Sequence, residues 1–560
     1  MYRWIIYGIL ALAGMINMSC SDQKQSDLVI IGGKVATVDD DFSITEAVAV
    51  KSDKIIFVGA NEDVKKYIGS KTKLIELNGE LVLPGLIDSH GHLTGYGKAL
   101  EDIDLVGTKS YQEVLDLVKE KVKSVESGEW IRGRGWDQND WEIKEFPQHQ
   151  ALSNITPNNP VMLSRIDGHA LLVNQKAMKI ADIDKNTPNP AGGKIQINSL
   201  GLPTGIFIDN AEKLITDYVP KYSTEKIRSI ITNAASRCTE LGLTGVGDAG
   251  IPISRIDDYI YLIDNNKMPI RINAMLADTV VNDMNLFLQK YKIDSYGNDF
   301  LRVKSVKLYV DGALGSRGAS LLEAYSDDPE NSGLIVTDNY HMLEVCKAAL
   351  ESDFQVCTHA IGDKGIRTML DVYEEALQEN PNADHRFRIE HSQIVNLNDI
   401  QRYSDLGVIP AMQPTHAVSD MLWTEDRIGS KRVRGAYAFR NFLDEGIIIP
   451  CGSDFPVETN NPLIGIYHAV TRQDENGYPK GGWLPKQKMT IEEVIKGYTI
   501  WAAYAAFQED ILGSIEVGKY ADFTILDKDI LTIKPAEILS TRPIYTIVGG
   551  QIQYQIKDGL

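Results

Sequence analysis

The chain has 560 residues, 43% of them hydrophobic and 24% charged, with 46 glycines and 21 prolines spread along it. That composition describes an ordered globular body and excludes a low-complexity or disordered chain. A formal net charge of -20 argues against nucleic-acid phosphates or an anionic bilayer as partners of the folded surface, and leaves a small neutral or cationic molecule as the expected ligand.

Residues 1–20 differ from everything after them. Arg3 precedes a mostly apolar run from Trp4 to Met18, followed by Ser19 and Cys20 and then the polar SDQKQSD, which is the pattern of an export signal. Cys20 stands where a lipoprotein signal places its lipidated cysteine, although Asn17 occupies a position that is usually aliphatic. The expectation is an exported chain held at a membrane only by a lipid anchor on Cys20, on the periplasmic or cell-surface side. Cleavage nearby and release into the periplasm is the alternative. No internal stretch reaches the roughly 18 apolar residues that span a bilayer. The other cysteines, Cys238, Cys346, Cys357 and Cys451, lie in apolar contexts without short spacings and read as buried thiols.

Residues 27–83 alternate apolar and polar positions between glycine-containing turns, and residues 510–556 have the same texture. The two ends are therefore expected to combine into one small β-sandwich. Between them, across 84–509, run eight β-rich segments: GLIDSHGH, LTGVGDAG, IRINAMLA, VKSVKLYVDGALG, FQVCTHAIGD, RFRIEHSQ, GVIPAMQP and IIIPCGSDFPV. Most of the intervening stretches carry helical periodicity, as in SYQEVLDLVKEKVKSV and STEKIRSIITNAASRCTEL. Eight strand–helix repeats predict an α/β fold of the (β/α)8 TIM-barrel type, with functional residues at the C-terminal strand ends. The first and second barrel strands are separated by far more chain than such a connection needs, which predicts an inserted subdomain over about 101–240.

The chemistry-bearing residues fall at those strand ends. His90 and His92 share one face of a strand because alternate side chains do, and two imidazoles on one face make half of a zinc-type site. Lys307, His359, His391 and Asp454 follow at the ends of the fourth, fifth, sixth and eighth segments. Taken singly, His359 and His391 are equally compatible with core histidines, Asp454 with a turn cap and Lys307 with an outward-facing ion pair. Their shared order and position favour a metal site. A lysine facing the barrel interior is costly as an ammonium; carboxylated by carbon dioxide, it would become a carbamate able to bridge two cations.

The set PGLIDSHGH, VKLYVDGALGS, THAIGD, RIEHSQ and GSDFPV resembles the amidohydrolase superfamily. With GRGWDQN, SRIDGHA and PTGIF, it is similar to the amidohydrolase family 3 branch that includes N-substituted formamide deformylases. The resemblance covers nearly the whole chain after the leader. It implies one or two divalent metals, zinc being expected. His90, His92 and Asp454 would bind the more buried ion, His359 and His391 the outer one, and Lys307, as an N6-carboxylated side chain, would bridge them. Some relatives work with one metal, and there His391 is a catalytic acid or electrophile instead of a ligand. The implied activity is hydrolysis of a C–N bond other than a peptide bond, in an amide, N-formyl, N-acyl or cyclic amide compound. Asp454 would take the proton from the attacking water and deliver it to the leaving nitrogen. A metal-dependent isomerase or decarboxylase on the same barrel is an alternative, as is a ligand-binding lipoprotein without catalysis. In the insertion and on the loop after Lys307, the expected substrate-facing residues are Trp136, Asp137, Arg165, Asp167, His169, Asp311, Ser316 and Arg317. Trp136 would cover an apolar substituent, and Arg165 would meet a carboxylate or carbonyl. For each, hydrogen bonds that fix the loops or the insertion are the competing reading.

Overall fold

The computed structural model describes residues 25–556 except 191, 280, 379, 380 and 382; the expected export segment and Cys20 lie outside them. Seven of the eight β-rich segments form a continuous parallel sheet: Leu86–Gly91, Leu243–Ile251, Arg271–Ala277, Leu301–Tyr309, Gln355–Ala360, Arg388–His391 and Ile409–Ala411. They are buried on both faces, with Gln355–Ala360 and Arg388–His391 buried at every position, as strands sandwiched between a barrel interior and an outer ring of helices must be. Helix Asp363–Leu377 shows why the sequence supplies that ring. Ile366, Met369, Leu370, Tyr373, Ala376 and Leu377 recur at helical spacing and are all buried, and fully burying a large apolar side chain contributes about 1.5–3 kcal/mol.

The eighth segment closes the barrel without becoming a regular strand. Met412 pairs with Cys451 as an isolated parallel bridge. Met412 N–H donates to Pro450 O and Gly452 N–H to Met412 O, each at 3.1 Å. On the other side, Ser89 N–H donates to Cys451 O at 3.0 Å and Asp454 N–H to His90 O at 2.7 Å. Pro450 has no N–H to give a ladder, and Gly452 passes so close to the first strand that a Cβ there would lie 2.7 Å from the His90 nitrogen.

Both chain ends contribute to one six-stranded sheet, in the order Gln551–Gln555, Pro543–Val548, Phe523–Leu526, Leu81–Pro84, Lys34–Ala36 and Ile44–Thr45. A four-stranded sheet built from Leu28–Ile31, Ala47–Lys51, Lys54–Gly59 and Lys73–Glu76 shares an apolar cluster with it that includes Val48, Val50, Val82, Phe523 and Ile525. The larger sheet is tied to the N-terminal end of the barrel: Thr524 Oγ1 donates to Gly242 O at 2.6 Å, and Arg271 pairs with Asp522 at 2.7 Å.

Between helix Leu93–Ala99 and helix Thr224–Glu240, the chain forms a separate six-stranded sheet spanning Ile103 to Asp209. It has its own core, which includes Trp136, Trp141, Leu163 and Leu172. Helix Thr224–Glu240 returns to the barrel, burying Ile231, Ala234, Ala235 and Cys238 there. The four described cysteines are all free and buried. Among the described residues no helix is long and apolar enough to cross a membrane.

Candidate metal centre at the barrel mouth

The first strand ends at His90 and Gly91, and His92 follows as the residue that starts helix Leu93–Ala99. Asp454 reaches the pair from the closing segment: its Oδ1 lies 3.0 Å from His92 Nε2 and 3.5 Å from His90 Nε2. His391, at the end of the sixth strand, places its ring 5.0 Å from that of His90 and 4.6 Å from that of His359.

Register explains how these side chains converge. In neighbouring parallel strands, paired residues share a face, so the pairs Tyr309–His359 and His359–Glu390 form one row. Strict alternation would then aim Glu390 inward and His391 outward. His391 joins the site because its backbone leaves the strand conformation at φ +76, and Asp454 is likewise at φ +60. Such values are uncommon outside glycine and cluster at functional sites.

The hydrogen bonds of the imidazoles fix which nitrogen faces the centre. His90 Nδ1 bonds the Glu390 carboxylate, His92 Nδ1 bonds the Ala249 carbonyl at 2.9 Å, and His391 Nδ1 bonds Gln413 Oε1 at 2.9 Å. All three partners accept, so each Nδ1 carries the hydrogen and each Nε2 presents a lone pair. His359 bonds the Gly312 carbonyl. The Nε2 atoms of His90 and His359, and Asp454 Oδ1, are buried with no hydrogen-bond partner. Lone pairs of His92 and Asp454 facing each other at 3.0 Å repel unless a positive charge joins them, and buried acceptors left unpaired are costly. The donor set His90, His92 and Asp454, all ligand atoms within 4.8 Å of one another, therefore fits a divalent cation.

Electrostatics divide the four rings: burial would lower His92, but the hydrogen bond and charge of Asp454 outweigh it and raise it, whereas the other three shift down. Burial lowers His90, His359 and His391, the last two well below the ordinary imidazole value, and nearby Lys307 adds to the effect on each; these are neutral, ligand-ready rings. Burial alone would raise Asp454, but close His92, with His391 and His90, outweighs it and holds the carboxyl well below its usual range. Lys307 is 1% exposed, and its Nζ lies 4.1 Å from the centre of the Tyr309 ring. Among the described residues its Nζ makes no ion pair or hydrogen bond.

Sequence reasoning missed several members of the site. Glu390 is fully buried and pairs with Arg388 at 2.7 Å, whose Nη2 also donates to Ser89 O at 3.0 Å. Arg388 and Glu390, two opposite charges at alternate positions of a short strand ending in His391, were the available signal. His416, two residues past the seventh β-rich segment, puts its Nε2 3.8 Å from Asp454 Oδ2 and forms a second group with His391 and Asp454.

The expected substrate-facing residues fare differently. Trp136 is a core residue of the inserted sheet instead, fully buried with its indole N–H donating to Leu163 O at 2.9 Å. Arg165 donates from each of its three nitrogens within the insertion, to Gln138, Asp167 and Asp137, which favours the loop-fixing reading over a substrate contact. Asp311 is a loop fastener: its carboxylate accepts from Ile361, Gly362 and Ser320 N–H at 3.0, 2.8 and 2.9 Å, and burial pushes it up to about 7. Ser316 donates to Ala313 O. Arg317 pairs with Asp327 at 2.9 Å and borders a cleft of about 480 Å³ shared with Gln138 and Phe146. His169 bonds Asp209 at 2.9 Å, which raises it, and lies close enough for its charge to act on His359.

Comparison with known proteins places this geometry. The chain is 34% identical over 543 residues to Protein LONG AFTER FAR-RED 3 of Arabidopsis thaliana, covering 94% of this chain and 92% of that protein. It is 27% identical over 550 residues to an N-substituted formamide deformylase of Arthrobacter pascens, covering 95% and 99%. An uncharacterized metal-dependent hydrolase from Pyrococcus horikoshii superposes with a TM-score of 0.75 at 27% identity, over 91% of this chain and 99% of that one. The amidohydrolase family profile matches residues 73–554, and with the barrel-mouth histidines and Asp454 in place, the chain belongs to the amidohydrolase family.

Proposed function

We propose that this chain is a metal-dependent hydrolase that cleaves a C–N bond in a small amide, N-formyl, N-acyl or cyclic amide compound. The observation that carries the reading is the fixed orientation of His90, His92 and His391, whose lone pairs converge beside Asp454. When bound, a divalent cation supplies a Lewis acid that brings the pKa of water from about 16 toward roughly 7 and polarises a carbonyl.

The chain's own residues do the rest. His90, His92 and Asp454 would hold one ion, zinc by donor type, and His359 and His391 a second. Lys307 carboxylated at Nζ would carry a negative charge between them, which would relieve the burial of an unpaired ammonium. Asp454, held ionised by its histidine neighbours, is the group able to take a proton from attacking water at a carboxylate oxygen and return it to the departing nitrogen. A relative whose name describes formamide cleavage, similar over 95% of this chain, supports N-substituted formamides as the first substrates to try.

The test is product analysis in oxygen-18 water with N-benzylformamide and a panel of N-acyl amides. The proposal expects release of the amine and one heavy oxygen in the acid. Rearranged or decarboxylated products without solvent oxygen would contradict it.

A further inference from the structure

His416 is the one histidine of this cluster whose polarity runs the other way. It lies where the chain leaves the seventh strand and enters the short helix His416–Ser419, and it is 6% exposed. Its ring lies 6.0 Å from that of His391, nearly parallel at 20°. Its Nδ1 stands 3.0 Å from Gln393 Nε2, an amide nitrogen that can only donate. Nδ1 therefore accepts, and the ring hydrogen resides on Nε2. That N–H points into the site, 3.8 Å from Asp454 Oδ2, beyond hydrogen-bond reach, and it has no partner.

A metal needs a lone pair where His416 presents a hydrogen. Asp454 thereby separates two functions, with Oδ1 facing the lone pairs of His90 and His92 and Oδ2 facing a donor. A buried donor left unpaired beside the reacting carboxylate is the arrangement that stabilises charge developing on a carbonyl oxygen. We propose that His416 is a further catalytic residue, whose Nε2–H donates to the oxygen of the scissile carbonyl and holds it as negative charge builds there. Gln393 is its positioning residue, setting the tautomer. This deepens the C–N hydrolase reading and rests on it for the identity of that oxygen.

The test compares zinc-loaded full chain with His416→Ala and His416→Gln, reading zinc per chain, kcat and KM on N-benzylformamide, and the Kd of methylphosphonate, a tetrahedral oxyanion. The expected result is equal zinc in all three. In the alanine variant, kcat falls by about 10²–10³-fold with KM changed by less than about threefold, and methylphosphonate binds about tenfold or more weakly. The glutamine variant, which keeps an N–H donor, recovers about tenfold of the lost rate. Zinc falling in step with activity would make His416 a ligand and overturn the proposal; unchanged kcat and Kd would overturn it as well. If the wild type hydrolyses no formamide or acyl amide, the hydrolase reading fails, and the methylphosphonate comparison decides His416 alone, equal affinity refuting it. Should the alanine variant not fold, His416→Phe, which keeps ring volume without the N–H, is read in its place.

Discussion

The Glu390 carboxylate on the sixth barrel strand accepts the Nδ1 hydrogen of His90 on the first, a contact across 300 residues of sequence. Arg388 shares the same carboxylate. Opposed by burial, the Arg388 charge, with the His90 hydrogen bond beside it, still holds Glu390 far below its ordinary value, so the acceptor is charged and the His90 tautomer is set. Removing the charge with Glu390→Gln is expected to lower metal affinity by about 10–100-fold, the usual cost of losing an outer partner of a ligating histidine. Competition against a chelator of known affinity measures it, and excess metal is expected to restore activity.

Lys307 offers a second, separable test. If its buried side chain is carboxylated, Lys307→Ala loses one metal of a pair, and activity falls by two orders of magnitude or more, about 3 kcal/mol in the barrier. Short carboxylates added to the variant are expected to return part of the rate. Metal content and rate both unchanged would leave the lysine a packing residue.

Asp311 is expected to matter to stability more than to substrate binding. Asp311→Ala strands three buried backbone N–H groups, and leaving buried donors unpaired costs about 1–3 kcal/mol each. Urea unfolding is expected to show a loss of about 3 kcal/mol or more, whereas a loss confined to KM would return Asp311 to the substrate face.

Glu212, in the turn after the last strand of the insertion, is pushed up to about 8, first by burial, with His169 opposing and Asp209 and Asp167 adding. Below about 4.5 both folded and unfolded chains carry its proton; between 4.5 and about 8 only the folded chain does. Its presence therefore lowers stability as pH rises through that window. Glu212→Gln removes this dependence, so the variant is expected to gain stability relative to wild type at about pH 8.5 but not at about pH 5. Denaturant midpoints at the two pH values check the sign, and parallel curves would contradict it.

Much of the barrel was legible because its strands are runs of apolar residues ending in polar ones, a pattern set by burial on both faces. The eighth run was legible as a position but not as an irregular one: Pro450 and Gly452 interrupt the ladder that its apolar residues suggest. His90 and His92 could be read from a spacing of two. His391 could be read only from its motif, since alternation alone would have selected Glu390, and the positive φ that turns His391 inward has no signature in the residue itself. His416 and the Glu390–His90 bond depend on strands far apart in sequence meeting at one mouth, which periodicity does not encode. In the insertion, Trp136 and Arg165 are the residue types that a core, an ion-pair network and a substrate wall all use, so type alone could not separate them.

The most direct measurement is elemental analysis of the purified chain lacking residues 1–20, beside Asp454→Asn, after incubation with zinc and bicarbonate. The account predicts at least about one equivalent of divalent metal in the wild type and a clear loss in the variant, because Asp454 is the oxygen donor facing both His90 and His92. Metal at background in the wild type would contradict the metal-dependent hydrolase at its root.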